Sequence, residues 1–139
     1  DILPSGEIVC AYFTGGRWHL ALVSDDGLQK IDIPYTDISG MRAQGEAIVF
    51  IGASAHAGQS LVRCDPRTGN CEVIRRSSDI ALGPEMLSAP EAVTFPTTGG
   101  AVAHGFYYPP RNTFRHASDG ETPPLIVRGH GGPTPFQSC

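Results

Sequence analysis

The residues best suited to chemistry lie near the end of the sequence, where an apolar run leads into His130-Gly131-Gly132-Pro133. A backbone N–H can approach a developing oxyanion closely only where side chains do not obstruct it and unusual backbone angles are allowed, which favours glycine. Such a donor stabilises the tetrahedral intermediate of acyl transfer by about 3 to 4 kcal/mol. The motif therefore predicts one element of an oxyanion hole, not a complete catalytic site.

No other segment supplies a recognisable nucleophile or base. Gly52-Ala53-Ser54-Ala55-His56 imitates the Gly-x-Ser-x-Gly elbow of serine hydrolases, but His56 replaces its last glycine and the segment lies in a predicted interstrand loop. Ser54 is therefore expected to be a loop residue. The remaining histidines and an acidic pair are expected to be structural, solvent-facing or part of turns: His19, His104, His116 and Asp25-Asp26.

The elements before the motif are predicted to be short strands in an internal repeat. Glu7 aligns with Glu46, an offset of about 39 residues that is close to the period of a four-stranded propeller blade. Ile38–Gln44 fits the innermost strand of the second copy, whereas the first copy has no such strand after Asp1. The repeated three-strand phrase comprises Glu7–Phe13, Trp18–Val23 and Leu28–Ile33, then Glu46–Ile51, Ser60–Cys64 and Cys71–Arg75.

The sequence thus predicts a mainly β chain whose residues 1–76 form the last one to two blades of a β-propeller, built as antiparallel four-stranded sheets. Such a chain begins inside a blade. The runs Ile8–Ala11 and Ile48–Ile51 are apolar on both faces, as expected of strands covered by neighbouring blades. Incomplete blades expose strand edges and apolar faces, so self-association or marginal stability is expected.

A change of composition after Arg76 marks a predicted linker over 77–90, followed by a second domain over 91–139. Glu91–Phe95 and Ala101–Tyr108 are predicted to form a β-hairpin. Leu125-Ile126-Val127 is predicted to be a buried strand running into the glycine motif, the context in which α/β-hydrolases place an oxyanion loop.

Composition excludes several classes of function. A formal net charge of −4 with scattered basic residues provides no stripe for a phosphate backbone, so no nucleic-acid partner is expected. No apolar run approaches the roughly 20 residues that span a bilayer, so no membrane partner is expected. No pattern indicates a metal or another cofactor, and a cytoplasmic location is expected.

The cysteines are too few and too irregularly spaced for a disulfide scaffold. If residues 65–70 form a turn, Cys64 and Cys71 lie opposite each other on adjacent strands, where a bridge is geometrically allowed. Two reduced neighbours are the favoured interpretation, because nothing indicates an oxidising compartment.

Several motifs follow one another in the second half of the sequence: Pro90–Phe95, Gly99-Gly100, His104–Pro109, Pro124–Val127 and His130–Pro133. In this order they resemble the start of the catalytic domain of the prolyl oligopeptidase family, especially its acylaminoacyl-peptidase and dipeptidyl-peptidase-like branch. The resemblance covers residues 88–133 well and the blades more loosely. In that family a propeller precedes the hydrolase domain and filters access to the active site, in agreement with the repeat upstream.

The resemblance implies a serine peptidase that hydrolyses short peptides through an acyl-enzyme. It implies that the N–H of Gly132 belongs to the oxyanion hole, with Gly131 shaping the turn and His130 helping to shape the loop. The Ser, Asp and His of the triad are expected outside this chain, so the isolated chain is expected to be an inactive fragment. Two alternatives remain open: a non-catalytic β-rich binding or self-association module, and an esterase of the α/β-hydrolase superfamily.

Overall fold

The computed structural model describes residues 1–80, 83–115 and 117–129. These residues form antiparallel strands and two short 3-10 turns, Pro84–Met86 and Thr98–Gly100. They fall into two compact units, Asp1–Ile80 and the described part of Ala81–Gln137. Within the described ranges, no helix is long and apolar enough to cross a membrane.

The first unit begins with a three-stranded sheet in the order β1-β2-β3. Its strands are β1 (Ile8–Thr14), β2 (Arg17–Ser24) and β3 (Gly27–Ile31). Gly15 and Gly16, between β1 and β2, both have positive φ angles (59° and 78°). Two consecutive positive φ values match a type I′ turn, whose twist suits a hairpin.

The second sheet is a four-stranded meander in the order β4-β5-β6-β7, which confirms the predicted four-stranded antiparallel arrangement. Its strands are β4 (Asp37–Gln44), β5 (Ala47–Ser54), β6 (Ala57–Cys64) and β7 (Cys71–Arg76). The expected long loop between β5 and β6 is wrong, because pairing continues to Ser54 opposite Ala57 and leaves a tight turn at Ala55-His56. The ladder reaches this turn after a shift of register between Gly52 and Ser54.

One face of each sheet contributes to a common core. Val9 and Leu20 of the first sheet are fully buried, as are Ile48, Phe50 and Val62 of the second. Burying an aliphatic or aromatic side chain of this size stabilises a fold by roughly 1.5 to 3 kcal/mol. The core of the first unit therefore lies between its two sheets.

The opposite faces of the two sheets are partly open. Ile8 is 45% exposed, and Ile51 and Leu61, which are cross-strand partners, are 41% and 39% exposed. The runs predicted to be covered on both faces are thus covered on one. A second layer is present on one side of each sheet only, among the described residues.

The edge of β1 has a short partner at the beginning of the chain. Ile2 forms an isolated antiparallel bridge with Ile8, and Asp1 and Val9 exchange two backbone hydrogen bonds of 2.9 Å. The carboxylate of Asp1 also accepts a hydrogen bond of 2.8 Å from the backbone of Ala43 in β4. The sequence suggested no strand beside β1. In the structure, Asp1 and Ile2 pair with the edge of β1, and Asp1 also contacts the second sheet.

The second unit contains the predicted hairpin, formed by β8 (Glu91–Pro96) and β9 (Val102–Tyr107) in antiparallel register. The predicted strand Leu125–Val127 is not formed, and its three side chains are 75%, 90% and 84% exposed. A strand requires a neighbour for its backbone hydrogen bonds, and no described residue pairs with this segment.

Candidate functional site

The predicted oxyanion loop lies at the end of the chain. Gly131 and Gly132, with His130, fall outside the described residues, so their role in an oxyanion hole stays a prediction. The segment that leads to them, Leu125–Gly129, is exposed. An added Cβ at Gly129 would meet no heavy atom within 4 Å beyond its chain neighbours. The described residues just before the motif are therefore exposed to solvent.

The hairpin before this segment engages one of the candidate histidines in a cross-strand pair. Thr94 of β8 and His104 of β9 are directly opposite each other, and Thr94 Oγ1 lies 3.2 Å from His104 Nδ1. Such pairs on one face of a hairpin contribute to its register. The contact supports the predicted structural role of His104. His116, which was also expected to be structural or exposed, lies outside the described residues.

The segment that imitates a nucleophile elbow has the geometry of a hairpin. Ser54 ends β5, and its Oγ accepts a weak hydrogen bond of 3.4 Å from the backbone N–H of His56. A nucleophile elbow needs a sharp turn from a strand into a helix, whereas this turn joins two strands. The geometry agrees with the expectation that Ser54 is a turn residue.

His19 stands opposite Tyr12 in the first sheet, with their ring centroids 5.3 Å apart. This contact fits the expected structural role of His19. Asp25 and Asp26 occupy the tight connection between β2 and β3, as predicted for turn residues. In the described ranges, no group of three or more His, Cys, Asp or Glu side chains is arranged to hold a metal ion.

Sequence reasoning missed an ionic cluster around Arg67, which lies between β6 and β7. The Arg67 guanidinium contacts the Glu7 carboxylate at 2.6 and 3.1 Å and the Glu46 carboxylate at 3.3 Å. Its hydrogen bond to Glu7, together with a weaker one from Ser5, lowers the pKa of the Glu7 carboxyl below its usual value. Glu7 and Glu46 are the residues that align in the repeat, which is the signal that could have predicted a shared partner.

The segment Asp65–Asn70, here called the β6–β7 turn, is closed by hydrogen bonds within it. The backbone N–H groups of Asp65 and Gly69 donate 2.9 Å hydrogen bonds to Asn70 and Asp65 carbonyls respectively. The Asp65 carboxylate accepts a 2.8 Å hydrogen bond from the backbone N–H of Arg67, and this bond lowers the pKa of the Asp65 carboxyl. The Arg67 backbone is thereby joined to the Asp65 carboxylate.

A disulfide between Cys64 and Cys71 joins the two ends of this turn. The favoured sequence interpretation, two reduced thiols, is therefore wrong, although the opposed positions were predicted correctly. The Cα atoms are 4.1 Å apart, because the register places the two cysteines directly across the ladder. Cys10 remains a free thiol.

An open depression of about 500 Å³ adjoins the disulfide. Both cysteines line it, and its charged side chains carry both signs, including Glu46, Glu72 and Arg67. Mixed charge on an open surface does not select an anion or a cation. The depression therefore does not indicate a ligand site, but it leaves a side of the disulfide open to solvent.

No protein-family model matches the sequence, and no curated protein does. Solved structures do match. A puromycin-hydrolyzing peptidase of Mycobacterium tuberculosis is 28% identical, with a TM-score of 0.82 over 89% of this chain and 19% of that chain. Puromycin hydrolase, alone and as a mutant complexed with PGG, is 23% identical over 88% of this chain and 19% of that chain, with TM-scores of 0.75 and 0.77.

At 23% identity the second pair shows a shared fold only, whereas the first match adds sequence similarity over the same span. This chain spans about a fifth of the length of those proteins, 19% in each case. The antiparallel blade-like sheets, the hairpin after them and the matched structures agree with the ordered motifs of the sequence. The chain is therefore similar in fold, and at 28% identity also in sequence, to a puromycin-hydrolyzing peptidase, in agreement with the resemblance of its motifs to the prolyl oligopeptidase family of serine peptidases.

Proposed function

We propose that this chain is part of a serine peptidase that hydrolyses short peptides through an acyl-enzyme, and that the isolated chain is inactive. The observation that supports this is the match to the Mycobacterium tuberculosis puromycin-hydrolyzing peptidase, which covers 89% of the chain. That span takes in strands of both units. A propeller module alone would leave the second unit without an explanation.

In the proposed reaction, a serine outside these residues attacks the substrate carbonyl while a histidine takes the hydroxyl proton. The carbonyl oxygen becomes negatively charged, and the N–H of Gly132 donates a hydrogen bond to it. Collapse of the intermediate expels the amine, which receives the proton from the histidine. Water then hydrolyses the acyl-enzyme by the same sequence of steps.

The substrate class follows from the similar proteins. Both are named for hydrolysis of puromycin, an aminoacyl amide, so amides and short peptides are the substrates to test first. The shared oxyanion chemistry would also serve an esterase, and the propeller strands are the feature that favours peptides.

The test uses the complete polypeptide that contains this chain, with puromycin as substrate. Gly132→Pro removes the proposed N–H donor, and removal of one oxyanion donor typically lowers kcat by about 100-fold to 1000-fold. The matched control is Ser54→Ala, which removes the imitation nucleophile and should leave kcat unchanged.

Full activity of Gly132→Pro would contradict the oxyanion assignment. Loss of activity in Ser54→Ala, with folding intact by circular dichroism, would contradict the placement of the nucleophile outside this chain. Hydrolysis of esters but not of puromycin or peptides by the unmodified polypeptide would favour the esterase alternative.

A second proposal, self-association of the isolated chain, rests on the open faces of the two sheets. Ile51 and Leu61 form one exposed apolar pair, and on the first sheet the exposed Ile8 and Leu28 lie on either side of the half-buried Val23. Exposed apolar surface favours association between copies.

Sedimentation across a dilution series should show this chain as oligomers that dissociate on dilution. The double variant Ile51→Lys/Leu61→Lys should shift the distribution toward monomer. A monomer at every concentration, with sharp cooperative unfolding, would instead favour an autonomous binding module.

A further inference from the structure

The β6–β7 turn is where the second sheet contacts the segments that flank the first. Arg67 contacts Glu7, which immediately precedes β1. At Gly69, an added Cβ would lie 2.5 Å from the carbonyl oxygen of Asp32, which follows β3. The turn therefore packs against residues beside both edge strands of the first sheet.

The disulfide holds the base of this turn closed. Cys64 ends β6 and Cys71 begins β7, so the covalent bond restricts the separation of the two strands where the turn leaves the sheet. Arg67 lies near the middle of the turn, and its position depends on both ends. By restricting the base of the turn, the disulfide also restricts the position from which Arg67 contacts Glu7.

The two sulfur-bearing residues differ in accessibility. Cys64 is 1% exposed and belongs to the core, whereas Cys71 is half-buried. Both line the open depression beside the turn. An external thiolate approaching through this depression would meet Cys71 first.

We propose that the Cys64–Cys71 disulfide is a redox latch: when oxidised it holds Arg67 on Glu7, and its reduction by a dithiol releases this contact between the two sheets. This regulation concerns the fold of the blades and does not depend on the peptidase function proposed above.

The step is an ordinary thiol–disulfide exchange. A thiolate of the dithiol attacks Cys71 Sγ, forms a mixed disulfide and expels the Cys64 thiolate, which takes up a proton. The second thiolate of the reductant then attacks its own sulfur in the mixed disulfide and expels the Cys71 thiolate, which is also protonated. Two electrons and two protons pass to the protein, and the reductant becomes a disulfide.

The latch is tested by hydrogen exchange of the 139-residue chain, oxidised and then reduced with dithiothreitol. Two peptides are followed: one covers the β6–β7 turn, and the other covers Leu3–Glu7, where the Leu3 N–H donates to the Glu7 carbonyl at 2.9 Å. Reduction should accelerate exchange in both peptides by about tenfold, because both lose a constraint on local opening.

Arg67→Gln is the variant that separates the latch from general loosening. In this variant, reduction should accelerate hydrogen exchange in the β6–β7 turn. Exchange in Leu3–Glu7 should stay at the rate seen in the oxidised variant. Cys10→Ser is the matched control for thiol chemistry and should respond to reduction as the unmodified chain does.

Exchange with glutathione checks which sulfur is attacked, since the trapped mixed disulfide is expected on Cys71. Three results would overturn the proposal: free thiols at both positions in the air-oxidised chain, no acceleration at Leu3–Glu7 on reduction, or equal acceleration there in Arg67→Gln. Glutathione on Cys64 would overturn the proposed route of attack.

Discussion

The two units bury their apolar side chains to very different extents. In the first, Val9 and Phe50 are 0% and 1% exposed; in the second, Phe95 and Val102 of the hairpin are 48% and 56% exposed, and Ile126 is 90% exposed. The first unit has two sheets that cover each other, whereas the described part of the second has one two-stranded sheet. Two strands alone are marginally stable in water, so a covering layer, more than strand propensity, decides which unit is well packed.

The largest expected effect comes from a cavity in the first unit. Phe50→Ala should destabilise it by about 3 to 5 kcal/mol, because a fully buried aromatic side chain is lost from the core. Trp18 packs against this core and is the only tryptophan of the chain, so its fluorescence during urea unfolding reports on the first unit.

Phe95→Ala is the matched control in the second unit. Because Phe95 is half-exposed in the hairpin, the transition reported by Trp18 should move by less than about 0.5 kcal/mol. Equal effects of the two variants would remove the contrast between the units.

The next effect concerns two glycines of the first unit with similar backbone conformations and different surroundings. A Cβ added at Gly69 (φ 73°) would lie 2.5 Å from the carbonyl oxygen of Asp32. A Cβ added at Gly45 (φ 59°) would meet no heavy atom within 4 Å. Each alanine variant should lose about 1 to 2 kcal/mol of folding stability, because alanine is strained in a left-handed backbone conformation. Gly69→Ala should lose more, since the turn must also move away from Asp32; equal urea midpoints would show that the close approach is unimportant.

The smallest effect is a pH dependence centred on Arg67. In the folded chain the pKa values of Glu7 and Asp65 lie below their usual values of 4.5 and 3.8. Stability from such groups is present above the usual pKa and is lost as the pH falls through the lowered one. The urea midpoint should therefore decline below a pH of about 4.5.

Arg67→Gln should weaken the part of this decline that belongs to Glu7. It should retain the part that belongs to Asp65, whose main hydrogen bond comes from the Arg67 backbone and not from its side chain. An unchanged decline in this variant would contradict the assignment to the ion pair.

The sequence predicted the strands well where turn residues separate β-branched runs, as between Glu7–Phe13 and Trp18–Val23 and at the turn Asp65–Asn70. It failed where pairing depends on distant backbone. The strand β5 continues through Ser54 because Ala57 is opposite it, and Leu125–Val127 forms no strand because no described residue pairs with it. The spacing of apolar residues and the strand propensity of single residues do not show which distant backbone segments will pair.

The side-chain contacts were less predictable than the strands. Cys64 and Cys71 were placed opposite each other by the turn between them, but the bond itself depends on oxidation state, which spacing does not encode. Arg67 contacts Glu7, which lies 60 residues away in the sequence, because the two sheets pack together. Gly131 and Gly132 lie outside the described residues, so their part in an oxyanion hole remains a sequence prediction.

A fluorophosphonate probe for active serines tests most directly the proposal that this chain is part of a serine peptidase whose nucleophile lies elsewhere. The complete polypeptide and the 139-residue chain would be labelled side by side, and the adduct located by peptide mass spectrometry. We expect one labelled serine in the complete polypeptide, outside the 139 residues of this chain, and no adduct on the isolated chain. An adduct on Ser54 or on any other serine of this chain, or no labelling of the complete polypeptide, would contradict it.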